Sequence, residues 1–183
     1  MDKAERTRAA LLHAALELFD ERGYEDTPVA AIAQRAGVTE MTFFRHFPSK
    51  EAVLLSDPYD PLIAEAVATQ PRSLPPIAAT AAAIRGAWRT VPAPASAEFR
   101  QRLRIVSGTP SLRGALVRNS ATTEAAISDA LISRGVDGRE ARIAAAAVIG
   151  GLTAALLDWA DGGDPDLTSA IEAPFRVLGD VRG

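Results

Sequence analysis

The sequence predicts an all-α protein, a three-helix helix-turn-helix unit followed by a helical bundle, with about nine to ten helices in all. Three observations lead there. Alanine, the strongest helix former, occurs 37 times in 183 residues, whereas aromatic residues make up only 5%. No stretch shows the period-two run of β-branched and aromatic residues that marks a half-buried strand. The prolines cluster (Pro58 with Pro61, Pro75 with Pro76, Pro92 with Pro94), and the clusters fall between segments of helical periodicity. There a fixed φ and a missing N–H start or stop a helix.

The first helix is expected over 3–22, where Leu11, Ala14, Ala15, Leu18 and Phe19 make one apolar stripe and Gly23 supplies a left-handed stop. Thr27-Pro28 reads as a cap followed by a first-turn proline, opening a short helix to residue 35. Gly37 ends it and Val38 anchors the turn. Thr39 caps a third helix to about 47, Pro48 breaks it, and Ser49 caps a fourth over 50–55. Further helices are expected near 61–69, 75–90, 95–107, 111–134, 138–161 and 165–178, with Asp137 and Asp164-Pro165 as caps for the last two. The domains are drawn at 1–56 and 57–183, the boundary being a helix break near Asp57 rather than a flexible linker.

Composition excludes several classes. Twenty basic against 23 acidic residues give a net charge of −3, so any nucleic-acid surface must be local. The absence of cysteine removes disulfides and thiolate chemistry, and two histidines leave little for a zinc centre. His13 and Glu17 stand four apart on the first helix and read as an exposed pair rather than a metal site. The N-terminus lacks the basic-then-apolar order of a signal peptide, and the longest uncharged run, 143–157, is shorter than a bilayer span. A cytoplasmic protein without membrane attachment or cofactor is expected. No nucleophile–base pair, phosphate loop or paired carboxylates suggests an enzyme.

The functional signal lies in residues 27–47. Two short capped helices joined by a glycine turn form a helix-turn-helix pattern. In the second of these helices Phe43 and Phe47 face the core with Val38. Glu40, Met41, Phe44 and Arg45 fall on the opposite face, open to a groove. Arg35, Arg45 and Lys50, with His46, outweigh Glu40 locally, and Lys50 stands where it can join a helix N-terminus in holding phosphate.

The run of residues 37–54, GVTEMTFFRHFPSKEAVL, resembles the DNA-binding domain of TetR-family transcriptional regulators, and the resemblance extends over residues 6–55. It implies a homodimeric repressor whose C-terminal domain binds a small molecule and thereby releases a palindromic operator in double-stranded DNA. By position, Thr27 then matches a phosphate-touching cap and Thr39 the cap of the recognition helix. Glu40 and Met41 match residues near base edges, Phe44, Arg45 and His46 a phosphate-contacting patch, and Lys50 a backbone-contacting lysine. Two departures stand out: the family often has Gly where Met41 stands and Tyr where Phe44 stands. The break at residues 57–61 also departs from a long fourth helix and resembles the mycofactocin-regulator-like subgroup.

In the second domain, residues 72–118 hold eight arginines and one acid, while 119–183 hold five arginines and ten acids. Either the two segments pair with each other, or some of Arg85, Arg89, Arg100, Arg102 and Arg104 hold an anionic effector. Trp88, Phe99, Leu103 and Leu116 are large side chains among many alanines, and either line a cavity for a lipophilic effector or fill the core. Gly150, Gly151, Leu152, Leu156 and Trp159, with Ile171, Phe175 and Leu178 of the next helix, read as a dimer face. A ligand- or protein-binding module without DNA affinity is the rival that Glu40, Met41 and Phe44 motivate.

Overall fold

The Asp2 carboxylate accepts the Glu5 N–H at 2.8 Å while the Glu5 carboxylate accepts the Asp2 N–H at 2.7 Å, and this reciprocal cap starts α1 (Lys3–Arg22). Gly23 ends the helix at φ 84°, a conformation costly for any residue with a Cβ. The structure, a computed structural model, describes residues 2–56, 60–89, 93–162 and 166–179. Three short helices follow: α2 (Val29–Arg35), α3 (Glu40–His46) and α4 (Ala52–Leu55). Beyond them come α5 (Asp60–Thr69), α6 (Pro76–Trp88), α7 (Ala93–Gly108), α8 (Arg113–Ser133), α9 (Gly138–Ala160) and α10 (Leu167–Val177). The described residues contain no strand.

Each helix of the second half lies where periodicity put it, within a few residues. A 3-10 turn, Pro110–Leu112, leads into α8, which the sequence reading had merged with the helix. Asp137 caps α9 as expected, accepting from the N–H groups of Arg139 and Glu140. Asp166 caps α10 from one residue before its start. The Asp164-Pro165 cap and the break at Asp57 and Pro58 lie outside the described residues.

Two cores organise the fold. The first gathers Leu11, Leu18, Phe19, Ile32, Phe43, Phe47, Val53 and Leu54. It is completed by Val106 of α7 and Leu112 of the 3-10 turn, so residues 1–56 do not close it alone. Gln101 reinforces the junction by donating to the Asp20 carboxylate at 2.6 Å. The second core joins α5, α6, α8, α9 and α10 through Ile63, Val67, Ile84, Ile127, Leu131, Val148 and Phe175. By length and composition α9 is apolar enough to cross a membrane, beyond what the uncharged run suggested. Here it is the central helix of the bundle, packed against α6, α7, α8 and α10.

Arginines finish several helix ends. Buried Arg134 donates to the carbonyls of Gln70, Pro71 and Leu74 just past α5, and Arg100 donates to the Trp159 carbonyl at 2.7 Å near the end of α9. Both supply donors where the last turn of a helix has none.

Candidate functional site

The α3 helix is held from one side and open on the other. The Thr39 hydroxyl accepts the Thr42 N–H at 3.2 Å and fixes its start. Phe43 and Phe47 are buried, and Arg8 of α1 stacks over the Phe47 ring at 4.1 Å while donating to the His46 carbonyl at 2.9 Å. These contacts leave Glu40, Met41, Phe44 and Arg45 together on an exposed face. Met41 is 83% exposed and Phe44 49%, an unusual display of apolar surface on a seven-residue helix. Phe44 leans edge-on against Phe43 with ring centroids 5.4 Å apart, so its ring is positioned while half of it stays uncovered.

Three sequence-based assignments change. Thr27 is fully buried; its hydroxyl donates to the carbonyls of Gly23 at 2.7 Å and Leu18 at 3.3 Å, so its side chain neither caps α2 nor reaches a phosphate. Lys50 turns inward. Its ammonium donates to the carbonyls of Tyr24 at 2.7 Å and Thr27 at 3.1 Å and lies 4.1 Å from the centre of the Tyr24 ring. Arg35 is engaged by Glu21 through two hydrogen bonds and by Glu17 through a third, which holds the Glu21 carboxyl below its ordinary range. The local positive charge on the exposed face is therefore Arg45, with half-buried His46 at its edge.

A cavity of about 110 Å³ lies between the two cores. Trp88, Phe99, Leu103 and Leu116 line it, together with Leu152 and Leu156. The rings of Trp88, Phe99 and Trp159 follow one another at 5.1 and 6.2 Å. Arg104 does not belong to it and is exposed. The arginine that does is Arg102, one of the five that the sequence offered as holders of an anionic effector. It is 8% exposed, and its guanidinium donates to the carbonyls of Leu54 (2.6 and 2.9 Å) and Ser56 (2.7 Å) at the end of α4. Its signal was positional: Phe99, Leu103 and Val106 form the apolar stripe of α7, and Arg102 stands on it. A charge on such a stripe must find partners inside.

Most of the proposed dimer face is used within the subunit. Leu152, Leu156, Trp159, Ile171 and Phe175 are all buried in the single chain. A Cβ on Gly151 would meet Pro174 of α10 at 2.9 Å, so its smallness serves α9–α10 packing. Gly150 is exposed and Leu178 half-buried. The outer stripe of α9 runs instead through Ile143, Ala147, Gly150 and Ala154, with Ile143 62% exposed and Val177 of α10 85% exposed nearby in sequence to Leu178. Beside it lies an apolar groove of about 480 Å³, lined by Leu74, Ile77, Ile143, Ala147 and Leu178. His13 and Glu17 form an exposed pair at 3.2 Å, and the described residues hold no cluster of three metal-ligating side chains.

Residues 11–56 match the family described as bacterial regulatory proteins, tetR family, and residues 74–183 match the MftR C-terminal domain. The transcriptional regulator TcmR of Streptomyces glaucescens is 35% identical over 143 residues, a stretch covering 74% of this chain and 63% of TcmR. The chain thus spans less than two thirds of that relative's length. The regulator EthR of Mycolicibacterium smegmatis is 45% identical over 58 residues, 32% of this chain and 26% of EthR. NalD, the secondary repressor of the MexAB-OprM multidrug efflux pump in Pseudomonas aeruginosa, shares the whole architecture. Its TM-score is 0.59 at 25% identity, covering 97% of both chains. An exposed α3 face on a capped helix-turn-helix unit and two family matches that together span most of the sequence lead to one conclusion: the chain belongs to the TetR family of DNA-binding transcriptional regulators, with a C-terminal domain of the MftR type.

Proposed function

We propose that the protein is a homodimeric repressor that binds a palindromic operator and is released from it by a small-molecule effector. The observation that carries this reading is the α3 face. Glu40, Met41, Phe44 and Arg45 are exposed together while Phe43 and Phe47 hold the helix from behind. In this reading α3 enters the major groove. The Glu40 carboxylate accepts from a cytosine amine, Met41 and Phe44 contact thymine methyls or sugars, and Arg45 with His46 neutralises phosphate. Thr39 leaves the first-turn amides of α3 directed at the backbone. Thr27 and Lys50 support the unit from inside rather than touching DNA.

The outer stripe of α9 and Val177 supply apolar surface for a second copy, and two α3 helices on one dimer then set the half-site spacing. The cavity between the cores supports an effector site, because Leu54 and Leu55 of α4 line it and also belong to the first core. An effector acts only by binding one orientation of the three-helix unit more tightly than the other.

Arg45→Ala and Met41→Ala test the reading on a duplex carrying the operator. Both substitutions lie on exposed positions, so circular dichroism and melting stay within about 0.5 kcal/mol of the parent. Arg45→Ala lowers the slope of log affinity against log salt by about 1 per half-site, and Met41→Ala costs roughly 1–3 kcal/mol against the preferred sequence only. A parent protein with no salt-dependent affinity, folded and dimeric, is a binding module that has lost DNA, and the reading fails.

A further inference from the structure

Four neutral polar side chains line the interhelical cavity opposite an aromatic wall: Asn119, Ser120 and Thr123 of α8 and Thr153 of α9. We propose that the cavity takes an uncharged, single-ring aromatic ligand carrying a hydroxyl, an aryl alcohol or phenol, whose oxygen is held by Asn119, Ser120 and Thr153. This inference rests on the effector-released reading above and names the chemical class of that effector.

Residues 119, 120 and 123 lie about one turn apart along α8 and share its inner face. Thr123 is buried there and already bonded, its hydroxyl donating to the Asn119 carbonyl at 3.3 Å. The Asn119 carboxamide and the Ser120 and Thr153 hydroxyls are half-buried and make no hydrogen bond to any described residue. Each of the three can both donate and accept. Their complement is a group that does the same, and a hydroxyl is the smallest. Across the cavity the Trp88 and Phe99 rings stand 5.1 Å apart at a tilt of 49°, offering an edge and a face to a third ring. The volume, about 110 Å³, limits the body to one ring, since a dry cavity of roughly 150 Å³ holds benzene.

Charge of either sign is disfavoured. Among the described residues Arg102 is the one charged side chain on the lining, and the protein occupies it. Its guanidinium donates to the carbonyls of Leu54 and Ser56, and these are not its only interactions. A ligand ammonium lies against that cation. A carboxylate either exchanges its water for neutral donors or pulls Arg102 from partners it already has. Both cost more than seating a hydroxyl. The route in agrees. Asn119 also borders a groove of about 260 Å³ between α4 and α8, whose walls carry Ser49, Ser56 and Thr122, so a neutral polar ligand meets hydrogen-bonding groups on its way to the cavity.

The test is calorimetric titration of the purified full chain at neutral pH with benzyl alcohol, toluene, cyclohexylmethanol, benzoate and benzylamine. Benzyl alcohol binds saturably. It binds about threefold to tenfold tighter than toluene, which lacks the oxygen, and than cyclohexylmethanol, which lacks the aromatic ring. Benzoate and benzylamine bind roughly tenfold or more weakly than the alcohol. Asn119→Leu combined with Thr153→Val removes hydrogen-bonding groups at nearly constant size, and benzyl alcohol and toluene then bind alike. Equal binding of benzyl alcohol and either neutral counterpart by the parent protein overturns the proposal. So does tighter binding of benzoate or benzylamine, or no saturable heat from any probe up to about 10 mM. A preference for the alcohol that survives in the folded double variant overturns the assignment of its oxygen to these side chains. If the double variant does not fold, the ratios measured on the parent decide alone. No DNA is present in this titration, so its failure is separate from a failure of the regulator reading. On an operator duplex, saturating benzyl alcohol weakens parent binding roughly tenfold. Selective binding of the alcohol that leaves operator affinity unchanged refutes its class as that of the effector.

Discussion

The ammonium of Lys50 lies 4.1 Å from the centre of the Tyr24 ring and donates to the Tyr24 carbonyl at 2.7 Å, so the start of the fourth helical segment is pinned to the turn that follows α1. Lys50→Met keeps the stem and removes the charge. It leaves the carbonyls of Tyr24 and Thr27 without this donor and costs about 1–3 kcal/mol in urea unfolding. The salt slope of DNA binding stays at the parent value. A slope reduced by about 1 with stability intact assigns Lys50 to phosphate instead.

Burial pushes the Tyr24 phenol up to about 12, with the charges of Glu51 and Glu25 adding to it. The folded state thus favours the neutral phenol. Its contribution to stability is complete below the ordinary value of 10.0 and is lost as pH rises from there towards about 12. In a Tyr59→Phe background, the remaining tyrosine is expected to ionise with its midpoint near 12 in the folded protein and near 10 in urea. A midpoint near 10 in both states contradicts the packing of Tyr24 against Phe19 and Lys50.

Acid should release α10 from α6. Arg85 donates from Nε to both oxygens of Glu172, at 2.8 and 3.0 Å, and from Nη2 at 2.7 Å, and these bonds hold the Glu172 carboxyl below its ordinary 4.5. A depressed carboxyl stabilises the fold fully above the unfolded-state value and loses that contribution as pH falls through the lower folded value. Melting temperature measured from pH 6 to 3 falls less steeply in Glu172→Gln than in the parent. Parallel acid limbs sink this assignment.

Adjacent glycines on α9 separate the fold from the dimer. Gly151→Ala drives a methyl into Pro174 and destabilises the subunit, about 1–3 kcal/mol of overpacking against a helix-propensity gain of about 1. Gly150 has open space for a Cβ, and Ile143 projects to solvent on the same stripe. Ile143→Glu leaves helicity and melting of the subunit near the parent and converts dimer to monomer in sedimentation. A sedimentation profile unchanged by Ile143→Glu moves the interface elsewhere.

Much of this was legible in the residues. Capping side chains, glycine stops and apolar spacing located each helix, and the alternation of Phe43 and Phe47 against Met41 and Phe44 separated the two faces of α3. What the sequence could not convey is which long-range partner satisfies a cation. The arginine-rich segment was weighed between ion pairs and an anionic ligand. Arg85 with Glu172 follows the first reading. Arg100, Arg102 and, further along, Arg134 instead serve carbonyls at helix ends, as do Arg8 and Lys50 in the first domain. Those acceptors carry no sequence signature, because every residue has a carbonyl. The residues read as a dimer face overlap the subunit's own core for a related reason. Leu152, Leu156 and Phe175 are apolar enough for either interface or core, and only the chain's path shows that α6, α7 and α8 already cover them.

The central claim is that the exposed α3 face reads a two-fold DNA site. Selection of binding sites by the full-length protein from a random duplex library, followed by the mass of the complex on the winning sequence, tests it most directly. The account predicts an inverted repeat whose half-sites are spaced by about one helical turn or a multiple of it, bound by an even number of chains with affinity that falls steeply with salt. Recovery of no enriched sequence from folded protein, or of a site bound by single chains without symmetry, contradicts it.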